Sequence, residues 1–285
     1  MSLIADRTFG GVGCIDSLCF DTFESISASV DVPIWLVSHD DVDKISFSKP
    51  YGLWILGNEQ HRSFDFKFSI DSNCKFIIKP YPYIENYSPV KQPYVIESNL
   101  STVLSCQYVK PSIEDPRVLN LPLGCSKNFR YRPLEKSIDI GFYGQISGIR
   151  SYMLPWIKNL NVVCYKGFGI NRSGEEYSEF ISKCKIAFCP SGQSPETYRL
   201  FEAAKSGCAI ISNCLPNVEY YRECPALTIP WECFNESNSD IINKNIYHML
   251  DNIDKCQQEM KLWVEKWTSP EFISNKVIIH AKRCL

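Results

Sequence analysis

The sequence predicts an α/β protein of two domains, each built on a parallel, doubly wound sheet. Three observations predict it. At 285 residues the chain is long for one domain and sufficient for two separate cores. Between residues 137 and 230, apolar strand-like runs alternate with stretches of helical spacing, the rhythm of βαβ units. Before residue 124, apolar runs end in polar loops, as strands do when their carboxyl ends carry a site.

Composition narrows the class of protein. Hydrophobic residues are 45% and charged residues 22%, an ordinary globular balance with no low-complexity signature. The formal net charge is −2, so no overall basic excess points to nucleic acid as a partner. A phosphate-bearing small molecule needs only a local cluster of donors and stays in play. The 14 cysteines are scattered, and no pair has the C-x-x-C spacing of a zinc or redox site. Several lie in apolar runs (KIAFC, GCAII), where a free thiol behaves as a small hydrophobe. They are expected to be reduced core thiols of a cytosolic protein. The opening MSLIADRTFGGVGC lacks a basic stretch followed by an apolar one of signal-peptide length, and no window reaches the ~20 apolar residues of a membrane span. The expectation is a soluble, cytoplasmic chain, with peripheral contact at the inner face of the membrane allowed.

The elements follow in order. VPIWLVSH (32–39) and YGLWILGNEQH (51–61) are apolar runs passing into polar loops, and CKFIIKPYPYI (74–84) is a third, closed by prolines that cannot continue a central strand. Residues 118–138, with two prolines, a glycine and four basic residues within NLPLGCSKNFRYRPLEKS, read as an interdomain connection. SIDIGFYG (137–144) is a strand ending in glycine. IRSYMLPWIKNL (149–160) is a helix kinked near Pro155. NVVCYKGFG (161–169) is a strand, EEYSEFISKC (175–184) a helix and KIAFCPSG (185–192) a strand and turn. SPETYRLFEAAKSG (194–207) has the best-marked helix ends, with Ser194 to cap it, Pro195 at its first position and Gly207 to stop it. CAIIS (208–212) and ALTIP (226–230) are strands; residues 239–253 and 255–267 are helices. EFISNKVIIHAKRC is a last helix that can cross back onto the first domain. The implied domains are 1–124 and 125–268, followed by the helix 269–285.

The run CPSGQSPETYRLFEAAKSGCAII carries the chemistry. A buried strand ends at Cys189, a Pro-Ser-Gly turn follows, and a helix begins. The first turn of a helix presents unpaired N–H groups and a partial positive charge. A diphosphate there meets the N–H groups of about Glu196, Thr197 and Tyr198, with Gly192 allowing close approach. Arg199, one turn in, adds a forked contact to phosphate oxygens. Glu202 is placed to accept hydrogen bonds from a ribose diol. The same spacing also suits an ordinary surface i,i+3 pair of Arg199 and Glu202.

Arg199, Leu200, Phe201, Glu202, Ala203, Gly207 and Cys208 resemble, position by position, the donor-site signature of GT-B-fold glycosyltransferases, most closely the exostosin-like and related bacterial surface-polysaccharide enzymes. The resemblance covers roughly residues 120–235. It implies two Rossmann-like domains, an acceptor-side domain over 1–124 and a nucleotide-sugar domain over 125–268. It implies Glu202 on the ribose and Arg199 near the diphosphate. LPLGCSKNF followed by SIDIGFYGQISGIRSYML resembles the entry to such donor domains, which adds Gly144, Gln145 and Arg150 to the site. The expected activity is transfer of a sugar from a nucleotide-diphosphate sugar to a hydroxyl of a glycan or lipid-linked saccharide, in cell-surface polysaccharide synthesis. Many retaining members carry two glutamates eight positions apart. Here Glu196 and Glu202 are six apart, with Ser194 at the eighth place, which favours inversion.

An inverting transfer needs a general base. Candidates at the strand-end loops of the first domain are Asp16, His39, Asp40, Glu59 and His61, of which at most one is the base. Each has a plainer role open to it; Asp40 and Asp41, for instance, can cap a helix starting near Val42. The resemblance implies no cofactor beyond the nucleotide-sugar co-substrate, and no metal, the leaving diphosphate being met by helix N–H groups and basic side chains. Asp41-Val42-Asp43 has the Asp-x-Asp spacing of metal-dependent transferases of the other large fold, yet lies away from the donor signature. Two alternatives share the architecture: a nucleotide-sugar 2-epimerase and a non-catalytic glycan- or nucleotide-binding module.

Overall fold

The computed structural model describes residues 26, 28–38, 47–56, 71–79, 108–109, 115–126, 129–146, 149–165, 174–192, 196–213 and 215–285. The chain forms two compact units, Met1–Glu85 with Pro111–Lys127 and Lys266–Leu285, and Asn86–Lys110 with Asn128–Glu265.

In the first unit, β1 (Ile34–Ser38), β2 (Tyr51–Leu56), β3 (Cys74–Lys79) and β5 (Val118–Asn120) form a parallel sheet in the order β1-β2-β3-β5. Side chains alternate across a strand, so the two faces of β2 enter different cores. Trp54 joins Ile34, Phe76 and Ile78 on one face, while Tyr51, Leu53 and Ile55 join Ile77 on the other. The C-terminal helix Pro270–Cys284 covers the first face with Ile273, Val277 and Ala281, a stripe at i, i+4, i+8. Ser269 Oγ caps this helix by accepting from the Phe272 N–H at 3.4 Å, with Pro270 in its first turn. The amino edge of the sheet is stapled by Arg117, which pairs with Asp115 at 2.7 Å and donates to the carbonyls of Asp71 and Cys74. The stretch 118–138 is therefore not all connection: its first residues, Val118–Asn120, pair in register with Ile77–Lys79.

The second unit runs β6 (Ile138–Gln145), α1 (Ile149–Met153), β7 (Leu160–Tyr165), α2 (Gly174–Lys183), β8 (Cys184–Phe188), α3 (Tyr198–Lys205), β9 (Ala209–Ser212), β10 (Leu215–Pro216), α4 (Glu219–Arg222), β11 (Leu227–Thr228), α5 (Ser239–Asp251) and α6 (Ile253–Trp267). A short β4 (Tyr108–Val109) pairs parallel with β10. The main sheet is parallel throughout, ordered β11-β9-β8-β6-β7. The chain enters at β6, steps to β7 on one side, then returns past β6 to β8 and continues to β9 and β11. Right-handed crossovers then put α1 on one face and α2 and α3 on the other. The first face is packed by Phe142, Met153, Leu154, Ile157, Phe188, Ile211, Ile242 and Ile246. Phe201 of α3 stacks on Trp263 of α6, their ring centroids 5.5 Å apart. The point where the strand order reverses lies between β6 and β8, and open parallel sheets bind ligands outside the carboxyl ends at such a point.

Two predicted helices are shorter than their sequence patterns. The helix expected over 149–160 ends at Met153, and Leu154–Trp156 form a tight 3₁₀ turn around Pro155, whose ring prevents a further helical hydrogen bond. The helix expected over 194–207 is described only from Tyr198, with Thr197 extended before it (φ −140, ψ 142). Ser194 and Pro195 lie outside the described residues. The stop is as expected: α3 ends at Lys205 and Gly207 takes φ 72, which a β-carbon would strain. Nine cysteines of the described segments are free, and of these Cys74, Cys184, Cys189, Cys208 and Cys224 are buried. Among the described residues no helix is long and apolar enough to cross a membrane.

Candidate functional site

The carboxyl ends of β6 and β8 meet at the centre of the second unit. From β6 the chain leaves through Gly144 and Gln145; from β8 it leaves through Cys189, Pro190, Ser191 and Gly192. Arg150, in the first turn of α1, ties the two exits together: Nε donates to the Ser191 carbonyl at 3.2 Å and Nη1 to the Gln145 carbonyl at 3.2 Å. The β8 exit is held from its far side as well. The buried Asn213, just past β9, accepts from the Ser191 N–H at 2.7 Å, and Ser212 Oγ donates to the Cys189 carbonyl at 3.0 Å.

Arg199 of α3 reaches the same place from the opposite face. Its guanidinium carbon lies 5.4 Å from the centre of the Phe142 ring, and its Nε is buried with no hydrogen-bond partner among the described residues. Two glycines leave room for the two guanidinium groups. A β-carbon on Gly144 would stand 2.6 Å from Arg199 Nη2, and one on Gly192 would stand 3.0 Å from Arg150 Nη2. Two cations thus stand at one switch point, one spent on bridging strand ends and the other holding a buried donor in reserve. Buried donors are nearly always paired, so an unpaired guanidinium nitrogen calls for an acceptor. An anion bearing several oxygens supplies one.

The start of α3 adds to this. Thr197, the residue before the first turn, gives it no side-chain hydrogen bond. Glu196 lies two residues before α3. Its side chain is fully buried, and Oε1 accepts from Tyr220 Oη at 3.0 Å and Tyr221 Oη at 3.1 Å. Glu202, one turn into α3, is 4% exposed. It stands beside Tyr177 of α2, whose phenol is pushed far above its ordinary pKa by burial first and then by the Glu202 charge, with Arg199 acting in the opposite sense. No ion pair joins Arg199 and Glu202 among the described residues, so the plain surface-pair alternative for this spacing does not describe them.

The fold brings Gly144, Gln145, Arg150, Gly192 and Arg199 to one place, with Thr197 and Tyr198 at the adjoining helix start. Glu202 lies behind them, and Glu196 points its carboxylate into the protein. Asp16, His39, Asp40, Glu59 and His61 all lie outside the described residues, as do Asp41 and Asp43. Among the described residues no group of three or more His, Cys, Asp or Glu stands ready to hold a metal ion. Three residues that shape the site were missed in the sequence. Asn213 was detectable, as a polar residue ending a buried strand run. Tyr220 and Tyr221 were not: they are 24 and 25 residues from Glu196, in a stretch that reads as ordinary core.

No family model matches the chain, and no curated protein matches it. Solved structures of glycosyltransferases are similar to it at low identity. The pneumococcal O-GlcNAc transferase GtfA, in complex with UDP and GlcNAc, aligns with a TM-score of 0.45 and 10% identity over 92% of this chain, which spans 58% of the GtfA chain. AviGT4, a glycosyltransferase involved in avilamycin A biosynthesis, gives 0.40 and 9% over 95% of this chain and 90% of its own. WaaG, a glycosyltransferase involved in lipopolysaccharide biosynthesis, gives 0.39 and 10% over 92% and 96%.

Proposed function

We propose that the second unit binds the diphosphate of a nucleoside-diphosphate sugar between the start of α3 and α1, and that the protein transfers the sugar to a hydroxyl of a glycan or lipid-linked acceptor. One observation carries this: the Arg199 guanidinium, its Nε buried and without an acceptor among the described residues, stands at the switch point of a parallel sheet beside a helix start that Thr197 does not cap. Arg199 takes the phosphate oxygens in a forked contact, and the first-turn N–H groups of α3 take the rest. Arg150 holds the two strand ends at the spacing this needs. Glu202 accepts from the ribose hydroxyls, as the resemblance of the run Arg199–Cys208 implies. The six-residue spacing of Glu196 and Glu202 favours inversion, the resemblance implies that no metal ion is needed, and the general base belongs to the first unit. Cell-surface polysaccharide synthesis at the cytoplasmic face of the membrane is the setting proposed.

The test is incubation with a panel of UDP-, GDP- and CMP-sugars without acceptor. Slow release of free nucleotide supports a transferase. An isomerised sugar identifies a 2-epimerase instead, and binding without turnover a recognition module. Arg199→Ala is expected to cost about 2–5 kcal/mol of nucleotide affinity, that is, roughly 30- to 5000-fold. Unchanged affinity in that variant means the diphosphate does not sit there.

A further inference from the structure

Glu196 is an oddity in a site built for an anion. A carboxylate is costly to bury, and this one is fully buried two residues before a helix start whose partial charge would welcome it. Its carboxylate is engaged by two phenols. Both hydroxyls donate to the same oxygen, Oε1, at 3.0 and 3.1 Å. The tyrosines are adjacent in α4, their rings 4.6 Å apart, and they are themselves anchored: Trp263 Nε1 of α6 donates to the Tyr220 carbonyl at 2.7 Å, and the Tyr221 ring stacks on Trp263 at 6.2 Å. Burial, and after it the Glu196 charge, keeps both phenols protonated and donating.

We propose that Glu196, Tyr220 and Tyr221 form a positioning clamp, which never touches the ligand and sets the direction in which the backbone N–H groups at the start of α3 point. The proposal rests on the diphosphate site described above. The clamp fixes one end of the segment from Glu196 to Tyr198, while Arg150 and Asn213 fix Ser191 at the other side of the same cradle. Holding Glu196 inward keeps Thr197 extended and delays the helix until Tyr198, which sets where the first-turn donors begin, one residue before Arg199. Hydrogen-bond donors act on an anion only when held to within a few tenths of an ångström, so an outward swing of this backbone costs affinity without removing any contact atom.

The experiment pairs the double variant Tyr220→Phe/Tyr221→Phe with Glu196→Gln, in the full chain. Two readouts are taken: amide hydrogen exchange across residues 196–200 in the ligand-free protein, and UDP affinity by calorimetry well below the thermal midpoint of each variant. The double variant keeps both rings and loses both donors. Exchange over 196–200 is expected to rise while that of β6, β8 and β9 stays as in the parent, and UDP affinity is expected to fall about tenfold. Glu196→Gln keeps an acceptor oxygen for both hydroxyls and is expected to stay within about threefold of the parent. Unchanged exchange over 196–200 in the double variant overturns the clamp, whatever UDP does. Raised exchange with unchanged UDP affinity also overturns it, provided Arg199→Ala abolishes UDP binding. If Arg199→Ala leaves UDP binding intact, it is the diphosphate site that fails, and the clamp's role in binding fails with it.

Discussion

Arg199 occupies the space that a side chain at Gly144 would take, its Nη2 lying 2.6 Å from where a β-carbon would stand. The obstructing atom is the far end of a flexible side chain, so Gly144→Ala displaces the guanidinium rather than the backbone. The expected result is a loss of nucleotide affinity of about tenfold, or about 1.4 kcal/mol, with a thermal midpoint close to that of the parent. Calorimetric titration and thermal unfolding on the same sample check both halves.

Glu202 tests the sugar side of the nucleotide. Glu202→Gln removes the charge from a carboxylate proposed to accept from the ribose diol, a type of hydrogen bond whose net value is about 1.5–3 kcal/mol. UDP is expected to bind more weakly by that amount, while inorganic pyrophosphate, which has no ribose, binds as before. Equal losses for both ligands would remove the ribose from Glu202.

Asn213 holds the turn after β8 by accepting from a buried N–H. Asn213→Ala leaves the Ser191 N–H without its acceptor, at a cost of about 1–3 kcal/mol. Urea unfolding is expected to show that loss. Asn213→Asp, which retains an acceptor oxygen at the same place, is expected to recover most of it.

His280 gives the first unit a pH dependence. Nε2 contacts the Arg117 carbonyl at 2.8 Å and, the carbonyl being an acceptor only, donates its N–H there. Burial lowers the His280 pKa below its ordinary value, the backbone hydrogen bond opposes that, and Arg283 adds to the lowering. The unfolded chain therefore takes up this proton at a higher pH than the folded chain. The contribution is fully present above the unfolded value of about 6.5 and is lost as pH falls toward the folded one. Chemical denaturation between pH 7 and pH 5 is expected to show a fall in stability that His280→Gln makes shallower.

The described buried thiols are expected to be chemically quiet. Burial pushes Cys74 up to about 12 and raises Cys184, Cys189 and Cys208 as well, so little thiolate exists at neutral pH. Mapping of iodoacetamide adducts by mass spectrometry is expected to find these four unmodified in the folded protein and modified once it is unfolded in urea.

Much of the architecture is visible in local pattern. The run KIAFC–turn–helix–CAII is punctuated by Pro190, Gly192 and Gly207, and its strands are continuous apolar runs because both faces of a parallel sheet are covered. The final helix shows its capping residue, its first-turn proline and its apolar stripe in the sequence itself. Two boundaries were not visible. Val118–Asn120 looks like linker because a three-residue strand between prolines has too few residues to show a period, and only its pairing with β3 reveals it. The start of α3 lies at Tyr198 rather than Ser194; capping rules weigh only neighbouring residues and do not reach Tyr220 and Tyr221, which hold Glu196 from far along the chain.

The division has one physical cause. Propensity, capping and hydrophobic period act over a few residues, so the sequence by itself determined the α/β class, the strand–turn–helix cradle and the residue types in it: glycines in the turns, and an arginine and a glutamate at Arg199 and Glu202. Which face each side chain serves depends on elements that meet only when the sheet closes. Tertiary structure alone decided that β6 and β8 lie side by side, that Arg150 is spent on carbonyls at their ends while Arg199 Nε has no acceptor among the described residues, and that Glu196 turns inward to Tyr220 and Tyr221.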